Sequence, residues 1–337
     1  MDALLFKKQT IESLNEALKD SKTSTSQHDT LTSTILLLIF LDILESGIEG
    51  WNFHLRGARG LVNFCRSTMD SSLSSIDEGN LQDSSVKIDS DTRDFITRQF
   101  TLISTLGDAF SGSSSQCDYF LNDIEACNQE SILRSFLGCP DFILGGIRYL
   151  SSQRYFLENV QGQRSDDILY HIQETKNMLE LIENFDCLGW ASRSLSSTPS
   201  DINASDLSLL SEAYQNAALL YGRRILRAFP CYETAEFSND EALASRLLAI
   251  IDCLEGHAIL FKCLLWPTFI VGLACRTEEA RKSVDRHLRN LWELASCLNI
   301  ISASRILQEF WVEQDSKEVF ENVGQGMQVI DQGWLLI

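Results

Sequence analysis

No two of the ten cysteines stand three positions apart, so the chain has no CxxC pair. They occupy positions 65, 117, 127, 139, 187, 231, 253, 263, 275 and 297. Structural zinc sites draw their ligands mostly from such pairs, so these residues exclude a zinc finger or binuclear cysteine cluster. Cys253 and Cys263 fall in apolar helical patterns, where a cysteine serves as a small hydrophobe, and the thiols are expected reduced, as in cytosolic or nuclear proteins. Proline is also scarce: Pro140, Pro199, Pro230 and Pro267 are the only four in 337 residues, which leaves room for long helices. Positive charge is short, with 28 Lys and Arg against 47 Asp and Glu and a net charge of −19. A surface that acidic repels phosphate, so this chain alone is expected to bind neither DNA nor anionic membrane.

Catalytic signatures are missing as well. There is no GxSxG, no GxxxxGK[ST] and no HExxH, and His28, His171, His257 and His287 are scattered along the chain. Asp166-Asp167 lacks the further carboxylate of an aspartate-rich magnesium motif, and Asn239-Asp240 lacks the spaced Ser and Glu that would complete a diphosphate site. Asp89–Thr92 sits in a stretch of ordinary loop acid. No catalytic residue, cofactor or metal ligand is assigned. Long apolar runs are equally rare. Ile35–Leu41 is seven residues long, a core helix segment. Ala258–Cys275 spans 18 residues but contains Lys262 and Pro267, which predicts a buried helix pair bent at Pro267 rather than a membrane span. Met1–Asp20 is amphipathic and carries no signal-peptide core.

What is present is helical periodicity. Leu4, Ile11, Leu14 and Leu18 mark one face, and a second helix is predicted over about Leu31–Glu45. Trp51, Leu55, Ala58 and Val62 step by four, three and four, giving an αα-hairpin through Ser46–Gly50. Helix is predicted again over Phe95–Phe110, and Pro140 marks a helix start followed by the stripe Ile143, Ile147 and Leu150. Ile168, Ile172, Thr175, Leu179 and Ile182 outline the next helix. A long helix with Leu210, Tyr214, Ala217, Tyr221 and Ile225 facing inward then runs to Pro230. From Asp240 to Asp315 the pattern is almost continuously helical. Val284, Leu288, Leu291, Ala295 and Leu298 form one stripe there, and Glu278 with Arg281, and Arg281 with Asp285, are spaced to pair across a turn. Two polar stretches, 70–94 and 192–205, read as mobile loops because they hold too little apolar surface to offset the entropy of ordering. The predicted fold is all-α: one domain over 1–337, built as an irregular bundle of a dozen or more helices.

Two short motifs stand out. In Trp51–Arg59 (WNFHLRGAR), Trp51 anchors a helix in the core and Gly57 fits close backbone packing. His54 and Arg59 lie off the apolar stripe and reach neighbouring carbonyls or carboxylates. In Trp266-Pro267, the proline frees the carbonyl four residues back and bends the helix near Cys263; such bends can open a pocket between helices.

Taken in order, Leu41–Val62 (LDILESGIEGWNFHLRGARGLV), Phe136–Leu150 (FLGCPDFILGGIRYL) and Leu264–Asp315 resemble the fungal-specific transcription factor domain that usually follows a Zn2Cys6 cluster. The third segment carries Leu265-Trp266-Pro267, Gly272, Glu279-Ala280-Arg281 and Phe310-Trp311. Tyr221–Pro230 (YGRRILRAFP) resembles the family helix before the Trp-Pro segment, and Gly333–Ile337 looks like the family's usual ending, while the family's first helices have no counterpart. The resemblance implies that Trp51, His54, Gly57, Arg59, Cys139, Pro140, Trp266, Pro267, Gly272, Arg281 and Trp311 are scaffold positions. It also implies a nuclear regulatory domain that works through protein partners, a second copy of the chain among them, and through a small apolar effector, without touching DNA itself. The alternative is a stand-alone cytoplasmic member that binds or converts an apolar small molecule in secondary metabolism.

Overall fold

The computed structural model describes residues 3–19, 25–45, 54–55, 99–100, 102–107, 109, 139–158, 165–195, 202–229 and 240–317. Helix is the only regular element among them: eleven α-helices and one 3-10 turn, with no strand, so the all-α expectation holds. The predicted loop at 70–94 lies outside the described residues, as do Trp51, Gly57, Arg59 and the segment 46–50.

The chain divides into two compact units, Met1–Thr101 and Leu102–Ile337. In the first, α1 (Ala3–Lys19) packs against α2 (Thr25–Glu45). Helix α2 begins six residues before the predicted Leu31, because Thr25–Thr30 continue the helix without adding to its apolar stripe. Leu14, Leu31, Ile35, Leu38 and Ile39 are buried here. Asp42 is buried too. Lys7 Nζ donates to its Oδ1, and His54 Nε2 lies 3.2 Å from its Oδ2, so the carboxylate predicted to meet His54 is Asp42.

The second unit is arranged around α6 (Ala204–Ala228). Around it stand α3 (Asp141–Glu158), α4 (Ser165–Glu183), α5 (Cys187–Leu195), α7 (Asp240–Leu254), α8 (Ala258–Phe261) and α9 (Leu265–Ala274); α10 (Glu278–Ala295) and α11 (Leu298–Lys317) pack on α9. Helix α6 starts at Asn203, whose side chain accepts from the Asp206 amide at 2.8 Å, and it ends where Phe229 turns extended before Pro230. Leu210, Tyr214, Ala217, Tyr221 and Ile225 are buried as predicted. So are Leu207, Ala213, Ala218 and Leu226, which makes α6 a core helix rather than an amphipathic surface one. Each such leucine or isoleucine contributes about 1.5–3 kcal/mol by burial. At Gly222 an added Cβ would lie 2.5 Å from Leu179 Cδ2 and 2.9 Å from Leu150 Cδ1. Glycine there lets α3 and α4 close onto α6.

Several boundaries differ from the pattern. Helix α3 begins at Asp141, and the Leu144 amide donates to the Pro140 carbonyl at 2.9 Å, so Pro140 stands one position outside the helix. Residues 192–195 belong to α5 and 204–205 to α6, which shortens the predicted 192–205 loop at both ends. The stripe on α10 stops at Leu291: Ser296 takes a left-handed conformation with φ of 50°, leaving Ala295 exposed and Leu298 in the next helix. Cys253 is exposed, whereas Cys263 is buried as expected. Among the described residues, no helix is long and apolar enough to cross a membrane.

Candidate functional site

The Trp-Pro segment resolves into three pieces. Helix α8 gives way to a 3-10 turn at Lys262–Leu264, and α9 starts at Leu265. The break therefore falls around Cys263, where the proline is expected to bend the helix, rather than at Pro267 itself. Pro267 is the third residue of α9, so its missing amide falls opposite the Cys263 carbonyl in the 3-10 turn ahead of the helix. The carbonyl it leaves without an amide, that of Cys263, accepts the Tyr214 hydroxyl at 2.8 Å. Trp266 is stacked on Tyr214 with ring centroids 6.0 Å apart and meets Tyr221 edge-on at 6.1 Å. All three rings are buried. Trp266 and Pro267 thus dock α9 onto α6.

One turn further along α9, three more of the predicted positions meet. Trp311 Nε1 donates to the Gly272 carbonyl at 2.9 Å, and the Arg281 guanidinium lies 5.7 Å from the centroid of the Trp311 ring. A Cβ on Gly272 would stand 2.6 Å from Leu307 Cδ1 and 3.2 Å from Val284 Cγ1. Arg281 turns away from Glu278 and Asp285, its expected partners. Its Nη1 reaches both carboxylate oxygens of Asp315 at 2.8 Å and its Nη2 reaches Gln314 at 3.0 Å. Glu278 pairs with Lys282 instead, and Asp285 with Arg289. The cross-helix fork wins because α11 lies alongside α10 and offers Arg281 two acceptors and a ring at once. Cys139 is buried just ahead of α3.

Beside this junction lies a cavity of about 390 Å3 formed by α6, α7, α9 and the turn that leads into α10. It flanks the C-terminal half of α9, so Ile270, Leu273 and Ala274 line it while Trp266 and Pro267 do not. Leu220, Ala244 and Leu248 extend the apolar wall. The polar wall is unexpected from the sequence. Arg154, Arg224, Arg227 and Arg276 line it against two carboxylates, Asp240 and Glu241. Arg154 is 4% exposed, and its Nη1 donates to the Ala109 carbonyl at 2.7 Å; the Tyr221 hydroxyl donates to that carbonyl at 3.0 Å. Arg224 lies over the Phe310 ring, 5.1 Å from its centroid, with Nη1 3.4 Å from the Leu273 carbonyl. Burial, then the charges of Arg227 and Arg154, lower the Arg224 pKa to about 10. It remains a cation at neutral pH. Asp240 accepts from Arg223 at 3.2 Å and also from Arg227. The thiol of Cys275, also in the lining, is pushed by burial to about 12 and so stays protonated and unreactive.

A second group was invisible in the sequence. Asp252, Glu255 and His287 bring their ligand atoms within 4.8 Å of one another. Arg286 already sits among them, bonding Asp252 and Glu255 at 2.6 Å each. Burial first, and then the Arg286 charge, lower the His287 pKa. An arginine neutralising the carboxylates makes this an ion-pair network. His171 is likewise structural, stacked on Phe156 at 3.7 Å with Nδ1 2.7 Å from Gln153 Oε1.

The chain belongs to the fungal specific transcription factor domain family, whose match covers residues 1–335. It is similar to the acriflavine sensitivity control protein acr-2 of Neurospora crassa, at 23% identity over 335 residues. That alignment covers 94% of this chain and 51% of the relative, so the chain spans about half the length of the curated relative it matches. No solved structure matches it.

Proposed function

We propose that this chain is the regulatory, non-DNA-binding part of a fungal zinc-cluster-type transcription factor. It would act in the nucleus by associating with protein partners, a second copy of itself among them, and its output would answer to a small effector held in the α6–α7–α9 cavity. The observation that carries this reading is family membership over 1–335 together with an acidic chain that has no CxxC pair. A regulatory region works through contacts and conformation rather than through phosphate neutralisation, and a net charge of −19 suits that division of labour. The cavity supports the effector element. It lies between α6, α7 and α9, carries one apolar and one cationic wall, and falls within the volume range of small-molecule sites.

The test is to fuse the chain to a heterologous DNA-binding domain and measure a reporter in a fungal host. The fusion should raise or lower output relative to the DNA-binding domain alone, and Leu248→Arg, which places a charge in the cavity wall, should alter that output. A fusion whose output equals that of the DNA-binding domain alone overturns the regulatory reading.

A further inference from the structure

We propose that the α6–α7–α9 cavity takes an amphipathic monocarboxylate, its carboxylate held between Arg154 and Arg224 and its hydrocarbon body against Leu220, Leu248, Ile270 and Leu273. This inference rests on the effector reading above and names the ligand class that the cavity selects.

Three observations carry it. The first is the sign of the lining: four arginines face two carboxylates in a chain whose net charge is −19. Positive charge is the minority charge of this molecule, yet four arginines line this cavity. The second is depth. Arg154 is almost fully buried and Arg224 sits against the Phe310 ring, so both guanidiniums are held by packing and by backbone carbonyls before any ligand arrives. A pre-positioned planar guanidinium suits a planar carboxylate, and it binds with little further loss of side-chain freedom. The third is asymmetry. Apolar residues from α6, α7 and α9 share the lining, a surface that a simple inorganic anion would leave uncovered.

The remaining carboxylates set the ligand's charge. Asp240 and Glu241 belong to the same lining, and Arg227 is already committed to Asp240. A dianion such as a phosphate monoester would meet their repulsion, whereas a monoanion needs only the Arg154–Arg224 pair. Mutual repulsion of like charges, one of the causes that lower the Arg224 pKa, is relieved when an anion enters between them.

Calorimetric titration of the full 337-residue chain with dodecanoate, dodecanol and acetate separates the parts of this proposal. Dodecanoate should bind at least about tenfold tighter than dodecanol, since a charge-assisted hydrogen bond outweighs a neutral one by roughly that factor. Acetate should bind far more weakly than either long-chain probe. Arg224→Gln should reduce dodecanoate affinity to that of dodecanol while leaving dodecanol affinity unchanged, a pattern that a general loss of fold would not produce. Should Arg224→Gln unfold, Arg224→Lys offers a second variant, which keeps the charge, removes the planar fork and should cost severalfold for dodecanoate only. Equal affinity for dodecanoate and dodecanol overturns the carboxylate proposal and leaves the effector reading standing. Acetate binding as tightly as dodecanoate overturns the hydrocarbon half. No saturable binding of dodecanoate up to about 1 mM overturns this proposal, while the effector reading is decided separately by the Leu248→Arg reporter.

Discussion

The Tyr214 hydroxyl, on the central helix, donates at 2.8 Å to the Cys263 carbonyl, the one that Pro267 leaves without an amide four residues on. A gap in one helix is thus filled from another helix 49 positions away in sequence. The bond ties the turn ahead of α9 to α6.

Tyr214→Phe should therefore lower the stability of the chain by about 1–3 kcal/mol, the cost of leaving a buried acceptor unmet. In a Pro267→Ala background the same change should cost less, because the alanine supplies an amide for the Cys263 carbonyl. Urea unfolding of the two single variants and the double variant measures this coupling. Strict additivity would show that the hydroxyl and the proline do not share that carbonyl.

Gly272→Ala should destabilise by about 1–3 kcal/mol, the usual range for forcing a methyl group into a packed interface. The new Cβ meets Leu307 Cδ1 at 2.6 Å, and α9 cannot move away without straining the Trp311 bond to the Gly272 carbonyl. Thermal melting would show a lowered midpoint. A raised midpoint would mean that helix propensity, worth about 1 kcal/mol in favour of alanine, outweighs the contact. In a Leu307→Ala background the added methyl should cost little.

Acidification should weaken the fold before the carboxylates titrate. His171 and His287 both have pKa values below the usual 6.5, with burial as the leading cause. Their neutral forms belong to the folded state, so the unfolded chain binds more protons in this range. Stability should be full above about pH 6.5, fall as pH drops through that value, and level off below the folded-state pKa values. Unfolding midpoints measured between about pH 7.5 and 5 should show this slope. His171→Gln and His287→Gln should each flatten it, and an unchanged slope in both would assign the loss to other groups.

By itself the chain should show no sequence-dependent shift of duplex DNA at physiological salt. Its basic clusters are engaged internally: Arg223 and Arg227 with Asp240, Arg281 with Asp315, and Arg286 with Asp252 and Glu255. Specific binding needs cations free to meet phosphate and an element that enters a groove. A shift at nanomolar protein that depends on sequence would contradict the regulatory proposal.

The all-α class, the inward face of α6, the helix start after Pro140 and the unmet carbonyl at Cys263 were legible in the sequence. Each depends on residues within a turn or two of one another, and helical periodicity or proline chemistry acts at that range. Three features required the tertiary structure. The partner of the freed Cys263 carbonyl is the Tyr214 hydroxyl, from a helix 49 positions away in sequence. Arg281 chooses Asp315 over its neighbours at i−3 and i+4, because helix packing sets a carboxylate, an amide oxygen and the Trp311 ring before one guanidinium. The cationic wall of the cavity draws on Arg154, Arg224, Arg227 and Arg276, from α3, α6 and the turn before α10. Spread along the chain, these residues look like ordinary surface charge. Local sequence sets which way each helix faces, but only the packing of helices distant in sequence can gather like charges against the entropy and desolvation that keep them apart.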